Sequence, residues 1–313
     1  MSATAPPPPA RKGIFGRAYE SDLLHSFLRS KVTMVSGAVT AFCFLAALLA
    51  PWLAPHDPFD MGSISLLDSL LPPAWESSGD PRFLLGTDDQ GRDLLSAIMY
   101  GARISLAVGF ASVLFAAAIG ITLGLIAGYV GGITDSIMMR IADVQLTFPA
   151  ILTALLIDGS VHAMFDLKRG ESAFWILVVS IGLSSWVQYA RTVRGSTLVE
   201  RNKEYVQAAR VIGVPSRTIM VRHVLPNAMG PVLVIATINL ALAIVTEATL
   251  SFLGVGIPPT QPSLGTLIRI GQDFLFSGEW WITIFPGCAL AVLVLAVNLL
   301  GDWLRDALNP KLR

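Results

Sequence analysis

The side chains able to do chemistry are few in this sequence, and they do not gather. The four histidines, His25, His56, His162 and His223, are scattered without ligand spacing. Neither His-Glu-x-x-His nor Gly-x-Ser-x-Gly occurs, so a zinc centre and a nucleophile elbow are both disfavoured, and no catalytic or metal residue is assigned. No Gly-x-x-x-x-Gly-Lys-Ser/Thr run is present, so the chain brings no loop of its own to cradle ATP phosphates. The two cysteines, Cys43 and Cys288, stand inside apolar runs, which points to packing and away from disulfide or metal chemistry. One carboxylate is out of place. Glu247 lies well within an apolar stretch, where an acid has to face protein or water. It is therefore a candidate for lining or gating a pathway, or for an internal hydrogen bond that orders the bend at 251–254. Asn298, in a second apolar stretch, is either its partner or an interhelical contact.

The elements that must position these residues are membrane helices. The 313 residues are 53% hydrophobic and 14% charged, with a mean hydropathy of +0.64, which makes the bilayer the expected solvent. Lys plus Arg equals Asp plus Glu, 22 each, so no basic excess suggests a nucleic-acid partner. A helix needs about 20 apolar residues to cross ~30 Å of hydrocarbon. Six segments approach that length, 34–53, 104–129, 133–157, 174–193, 229–255 and 282–300, and the predicted fold class is an all-α polytopic membrane protein. The third is the least clean: Arg140 and Asp143 would have to pair one turn apart, and Pro149 interrupts it. The first apolar run starts too late and is too long for a cleaved signal peptide.

Orientation follows from the Lys and Arg near span ends. With the N-terminus inside, sixteen basic residues fall on the inner side and six (Arg82, Arg92, Arg103, Lys168, Arg169 and Arg269) on the outer side. Both termini are then cytoplasmic, residues 1–33 and 304–313 forming tails and 54–102 an outer, periplasmic loop. Residues 14–31 have the spacing of an amphipathic helix lying on lipid. Gly120, Gly124, Gly128 and Gly132, four apart, read as a seam for close helix packing. Trp280, Trp281 and Trp303 bracket the sixth span, as expected of rings at the membrane interfaces.

The inner segment 196–227 is the most specific part of the chain. Glu204-Tyr-Val-Gln-Ala-Ala-Arg-Val-Ile-Gly213-Val-Pro-Ser, followed by Arg222-His-Val-Leu-Pro226-Asn227, reads as a short helix, a glycine stop, a proline turn and a helix re-entering the membrane. Ala208 and Ala209 would keep one face low enough to seat in a partner's groove. A basic hairpin lying on anionic lipid is the plainer alternative. The residue order, however, closely resembles the EAA loop of ABC importer permeases, with Glu204, Ala208, Ala209, Gly213, Leu225 and Pro226 at the matching positions. Gly86-Thr-Asp88, Gly91-Arg92-Asp93, Tyr100 to Leu106 (with Arg103), Phe148-Pro149, Leu250 to Gly254 and Asn298 to Asp302 resemble the C-type permease subunit of dipeptide, oligopeptide and nickel importers. Ala97, where arginine is frequent, and the long outer segment 158–172 depart from that pattern.

The resemblance implies a type I ABC importer permease fold, in which 103–303 is the five-helix core and 196–227 its coupling loop. It further implies that Glu204, Tyr205, Ala208, Ala209, Arg210, Gly213, Leu225 and Pro226 serve ATPase coupling in the inner membrane of a bacterium. The implied partners are a B-type permease subunit, two cytoplasmic ATP-binding subunits that hold ATP and Mg, a periplasmic substrate-binding protein and membrane lipid, with no cofactor on this chain. Peptides are the implied cargo, nickel complexes or opine- and glycopeptide-like solutes the alternatives. A secondary transporter would call for paired broken helices and several midspan ionisable groups, and a membrane enzyme for a catalytic cluster. The topology predicts that single cysteines at Ser77 and Ser216, in a cysteine-free background, label from opposite sides of intact cells. Equal labelling of both by an impermeant reagent would refute it.

Overall fold

The computed structural model describes residues 27–28, 30–60, 62, 64–165 and 172–308; most of the expected amphipathic segment 14–31 lies outside them. Among the described residues no strand forms beyond one isolated bridge between Thr87 and Asp93. Helix α1 (Lys31–Leu48) starts at Ser30, whose hydroxyl oxygen accepts the Thr33 N–H in an N-cap. After a one-turn helix, Ala50–Leu53, an irregular segment leads to α2 (Leu94–Val130), capped by Asp93, which accepts the Ser96 N–H. At 37 residues α2 measures ~55 Å at 1.5 Å per residue, far more than the hydrocarbon thickness. It therefore begins ten residues ahead of the expected span 104–129 and takes in the end of the stretch read as outer loop.

Helices α3 (Gly132–Leu146) and α4 (Ala150–Phe165) occupy the place of the expected third span. They meet at 96°, because Pro149 disfavours a helical conformation in the residue before it. The stretch expected as one span, 133–157, is thus bent in the middle, and the described residues hold five long apolar helices, or six with the bent pair taken as one span. The Arg140–Asp143 pair does not form: Asp143 bonds Arg191 at 2.5 Å. Helix α5 (Ala173–Glu200) is followed by the short α6 (Glu204–Val211), then by α7 (Leu225–Phe252), α8 (Leu264–Gln272) and α9 (Trp281–Leu308). Helix α9 continues through 304–308, which had been expected to lie in the tail.

The core forms where α2 lies against α5, the most extensive helix pairing in the chain. Gly120, Gly124 and Gly128 of α2 let the two backbones touch: a Cβ at Gly124 would stand 2.4 Å from the Ala190 carbonyl oxygen, and one at Gly120 2.4 Å from the Tyr189 Cβ. Gly132 is not part of this seam; it has a φ of +59° and nothing near its missing side chain. Helix α7 covers both α2 and α5, and α9 closes on α7 and α1. Trp281 is buried and its indole N–H donates to the Thr87 carbonyl at 3.2 Å, so it fastens a loop. Trp303 meets Phe27 edge to face.

Overpacking a tight contact costs about 1–3 kcal/mol. Gly124→Leu is accordingly expected to lower the melting temperature and the yield of the purified protein. Gly195→Ala, at a helical glycine with open space around it, is expected to change neither.

Candidate functional site

The segment between α5 and α7 is built from its two ends. Helix α5 stops at Glu200, a turn follows, and α6 starts with Glu204 in its first turn and Arg210 in its last, each charge suited to its end of the helix dipole. Eight residues give α6 two clear faces. Val206 and Ala209 are buried in the chain's own core, while Glu204, Gln207, Ala208 and Arg210 are exposed. Ala208 and Ala209 therefore do not share a small outward face as expected: they lie 100° apart, and only Ala208 faces out. The outward apolar surface belongs instead to Val211, 87% exposed, and Ile212, 80% exposed.

Gly213 ends the helix with a φ of +85°. Its N–H donates to the Arg210 carbonyl and the Val214 N–H to the Ala209 carbonyl, both at 3.0 Å, the paired bonds of a Schellman stop. Pro215 turns the chain into Ser216–Thr218 and a six-residue π-helix, Ile219–Val224, and α7 begins at Leu225 with Pro226 in its first turn. Pro226 brings no N–H and the π turn widens the ladder. The carbonyl of His223 is met by side chains, with Asn227 Nδ2 donating to it at 2.7 Å.

Two exposed coupling candidates nevertheless contact the chain itself. Arg210 lies over the Tyr129 ring at 5.1 Å, joining α6 to the end of α2. The Tyr205 hydroxyl donates to Glu200 Oε2 at 2.6 Å; partial burial, then this bond, pushes the phenol above its usual range and keeps it a donor. Glu200, only 8% exposed, was missed in the sequence. An acid closing an apolar span five residues before a tyrosine was the available signal. Nearby, Arg194 grips Asp135 of α3 through two bonds of 2.5 and 2.6 Å, and Arg201 donates to the Gly128 carbonyl at 2.7 Å.

Glu247 is fully buried in α7. Ser105 of α2 donates to its Oε2 and Ser251 to its Oε1, both at 2.7 Å, and Ser251 Oγ in turn accepts the Ile257 N–H. The carboxylate knits α2, α7 and the bend after α7 together. Asn298 is not its partner.

The candidates between Asp88 and Arg103 separate into two groups. Asp88 accepts the backbone N–H of Arg92 at 2.9 Å and its Nε at 2.6 Å; both side chains are almost entirely enclosed. Arg92 Nη1 reaches the Pro259 carbonyl at 3.1 Å, Gly91 sits between them with a φ of +77°, and Asp93 caps α2. Arg103 stands apart, exposed beside an apolar groove lined by Phe44, Leu48, Leu106 and Phe110. What the α6 and Asp88–Arg92 arrangements offer is mechanical connection.

Comparisons with known proteins agree with this architecture. Residues 21–73 match the model of the N-terminal TM domain of oligopeptide transport permease C. The dipeptide transport system permease protein DppC of Haemophilus influenzae is 42% identical over 86% of this chain and 87% of its own length. That of Escherichia coli K12 is 41% identical over 92% of both, and the di/tripeptide permease DppC of Pseudomonas aeruginosa 39% over 87% and 84%. A chain of the inward-facing MetNI methionine ABC transporter superposes with a TM-score of 0.54 at 20% identity, over 68% of this chain and 96% of that one, a likeness of fold. Residues 120–313, which hold the α2–α5 seam, α6 and Glu247, match the family model itself: the chain belongs to the binding-protein-dependent transport system inner membrane component family.

Proposed function

We propose that this chain forms half of the translocation pore of an ATP-driven importer of dipeptides or short oligopeptides. Its other half is a B-type permease subunit, two cytoplasmic ATP-binding subunits supply the energy, and a periplasmic binding protein delivers the solute. Both termini face the cytoplasm. The observation that carries the reading is α6: a short helix held on the chain's surface, offering Val211 and Ile212 outward beside a rigid glycine stop. Large apolar side chains left exposed in a loop outside the spans mark a protein contact. The peptide cargo rests on the relatives named above, each a dipeptide or di/tripeptide permease.

ATP and Mg belong to the partner subunits in this scheme, and no covalent chemistry is assigned to this chain. Nucleotide-driven closure of the ATPases displaces α6, and α6 displaces the ends of the spans it is joined to. The binding protein and the nucleotide each favour one of two arrangements, and transport follows from that difference in affinity.

The burial of Ala209 decides which substitutions test this. A bulky residue there would strike the chain's own core, so the informative positions are Val211, Ile212 and Gly213. The double change Val211→Asp and Ile212→Asp is expected to leave membrane insertion intact, to reduce co-purification of the ATPases at least tenfold and to abolish peptide uptake. Gly213→Val strains a left-handed turn by about 1–2 kcal/mol and is expected to lower uptake several-fold. Unchanged co-purification and uptake in the double variant would mean that α6 is a lipid-facing hairpin. The purified chain alone is expected to hydrolyse no ATP.

A further inference from the structure

A cluster of polar side chains behind α6 does something its outward face cannot. Glu200 ends α5, and its two carboxylate oxygens are both engaged, Oε1 by Lys203 at 2.6 Å and Oε2 by the Tyr205 hydroxyl at 2.6 Å. The Tyr205 oxygen accepts from Asn227 Nδ2 at 3.1 Å, and the same amide donates its other proton to the His223 carbonyl at 2.7 Å. Three elements are joined in sequence: the end of α5, the first turn of α6, and the π turn that opens α7. Beneath the polar chain, Val206, Ile219 and Val224 are fully buried, so the hydrogen bonds lie over a packed floor that fixes their geometry.

We propose that Tyr205, with Glu200 and Asn227, is a positioning relay that locks α6 to the ends of α5 and α7, so that displacement of α6 moves both spans as one body. This rests on the coupling reading of α6. The resemblance implies ATPase coupling for Tyr205, and although the residue is exposed, its hydroxyl is spent on its own chain. A short helix hinged on the turn at 201–203 and on Gly213 would otherwise be able to rock in place. Bonded at both edges, it cannot move without α5 and α7. The charge-assisted bond to Glu200 is the stronger link, and it binds α6 to the helix that carries the glycine seam with α2.

The test uses the whole transporter, reconstituted in liposomes with its ATPases and binding protein, and reads transported peptide per ATP hydrolysed. Tyr205→Phe removes one oxygen and keeps the ring. It is expected to retain ATPase co-purification and to lower peptide transported per ATP at least fivefold. Glu200→Gln is expected to lower it less, and the double variant Glu200→Gln/Tyr205→Phe no further than Tyr205→Phe alone, because both act through one bond. Wild-type transport per ATP in Tyr205→Phe, or additive losses in the double variant, would overturn the relay. Loss of ATPase co-purification in Tyr205→Phe would also overturn it, by making the tyrosine a docking contact. Failure of the coupling reading itself appears elsewhere, as retained co-purification and uptake when Val211 and Ile212 become aspartate.

Discussion

Two helices in hydrocarbon gain nothing from simply hiding apolar surface, because the lipid they leave is as apolar as the neighbour they meet. What holds this chain together is the close approach that Gly120, Gly124 and Gly128 permit between α2 and α5, backbone against backbone along three turns. Everything else is placed relative to that pair. Helix α5 holds the broken span through Arg194 on Asp135, Arg191 on Asp143, and the Gln145 side chain, which donates to the Leu183 carbonyl and accepts the Trp186 indole N–H. Helix α7 is referred to α2 by the Glu247–Ser105 bond. A side chain on any of the three glycines would change the separation on which all these distances depend.

The two ends of the bundle meet the same requirement with different chemistry. Each must satisfy polar groups where helices stop, since a buried group without a partner costs about 1–3 kcal/mol. One end does so with an enclosed ion pair, Arg92 on Asp88, that extends to a backbone carbonyl in a distant loop. The other uses neutral and charged hydrogen bonds around Tyr205, with Arg201 closing on the Gly128 carbonyl. Both ends are tied down by such contacts, and the 96° break between α3 and α4 is the visible discontinuity.

Runs of some twenty apolar residues revealed the long helices, because length and hydropathy alone decide whether a segment can cross a bilayer. The break in the third span was visible only as Pro149; its angle depends on Gln145, Asp135 and Asp143 finding partners on α5, which no local pattern encodes. The glycine spacing named the seam correctly for three positions and overreached at Gly132, whose backbone conformation serves a turn. Around α6 the helix, the glycine stop and the proline turn were legible from residue types. Which alanine faces inward was not, because an eight-residue helix takes its sidedness from the elements beneath it. Glu200 and Asn227 stayed hidden for the same reason: their bonds join three separate elements.

The reach of Arg92 also sets an order of events during biosynthesis. Its Nη1 contact is the carbonyl of Pro259, and the neighbouring Thr87 carbonyl waits for the indole of Trp281. Both partners are translated long after the loop that needs them. Until the segment beyond α7 has been delivered to the same side of the membrane, the 54–93 loop holds its charges in water with its closing contacts unmade. The end of this loop, translated just before α2, is therefore among the last parts of the chain to reach its final form, and a chain stalled before Pro259 leaves both contacts unmade.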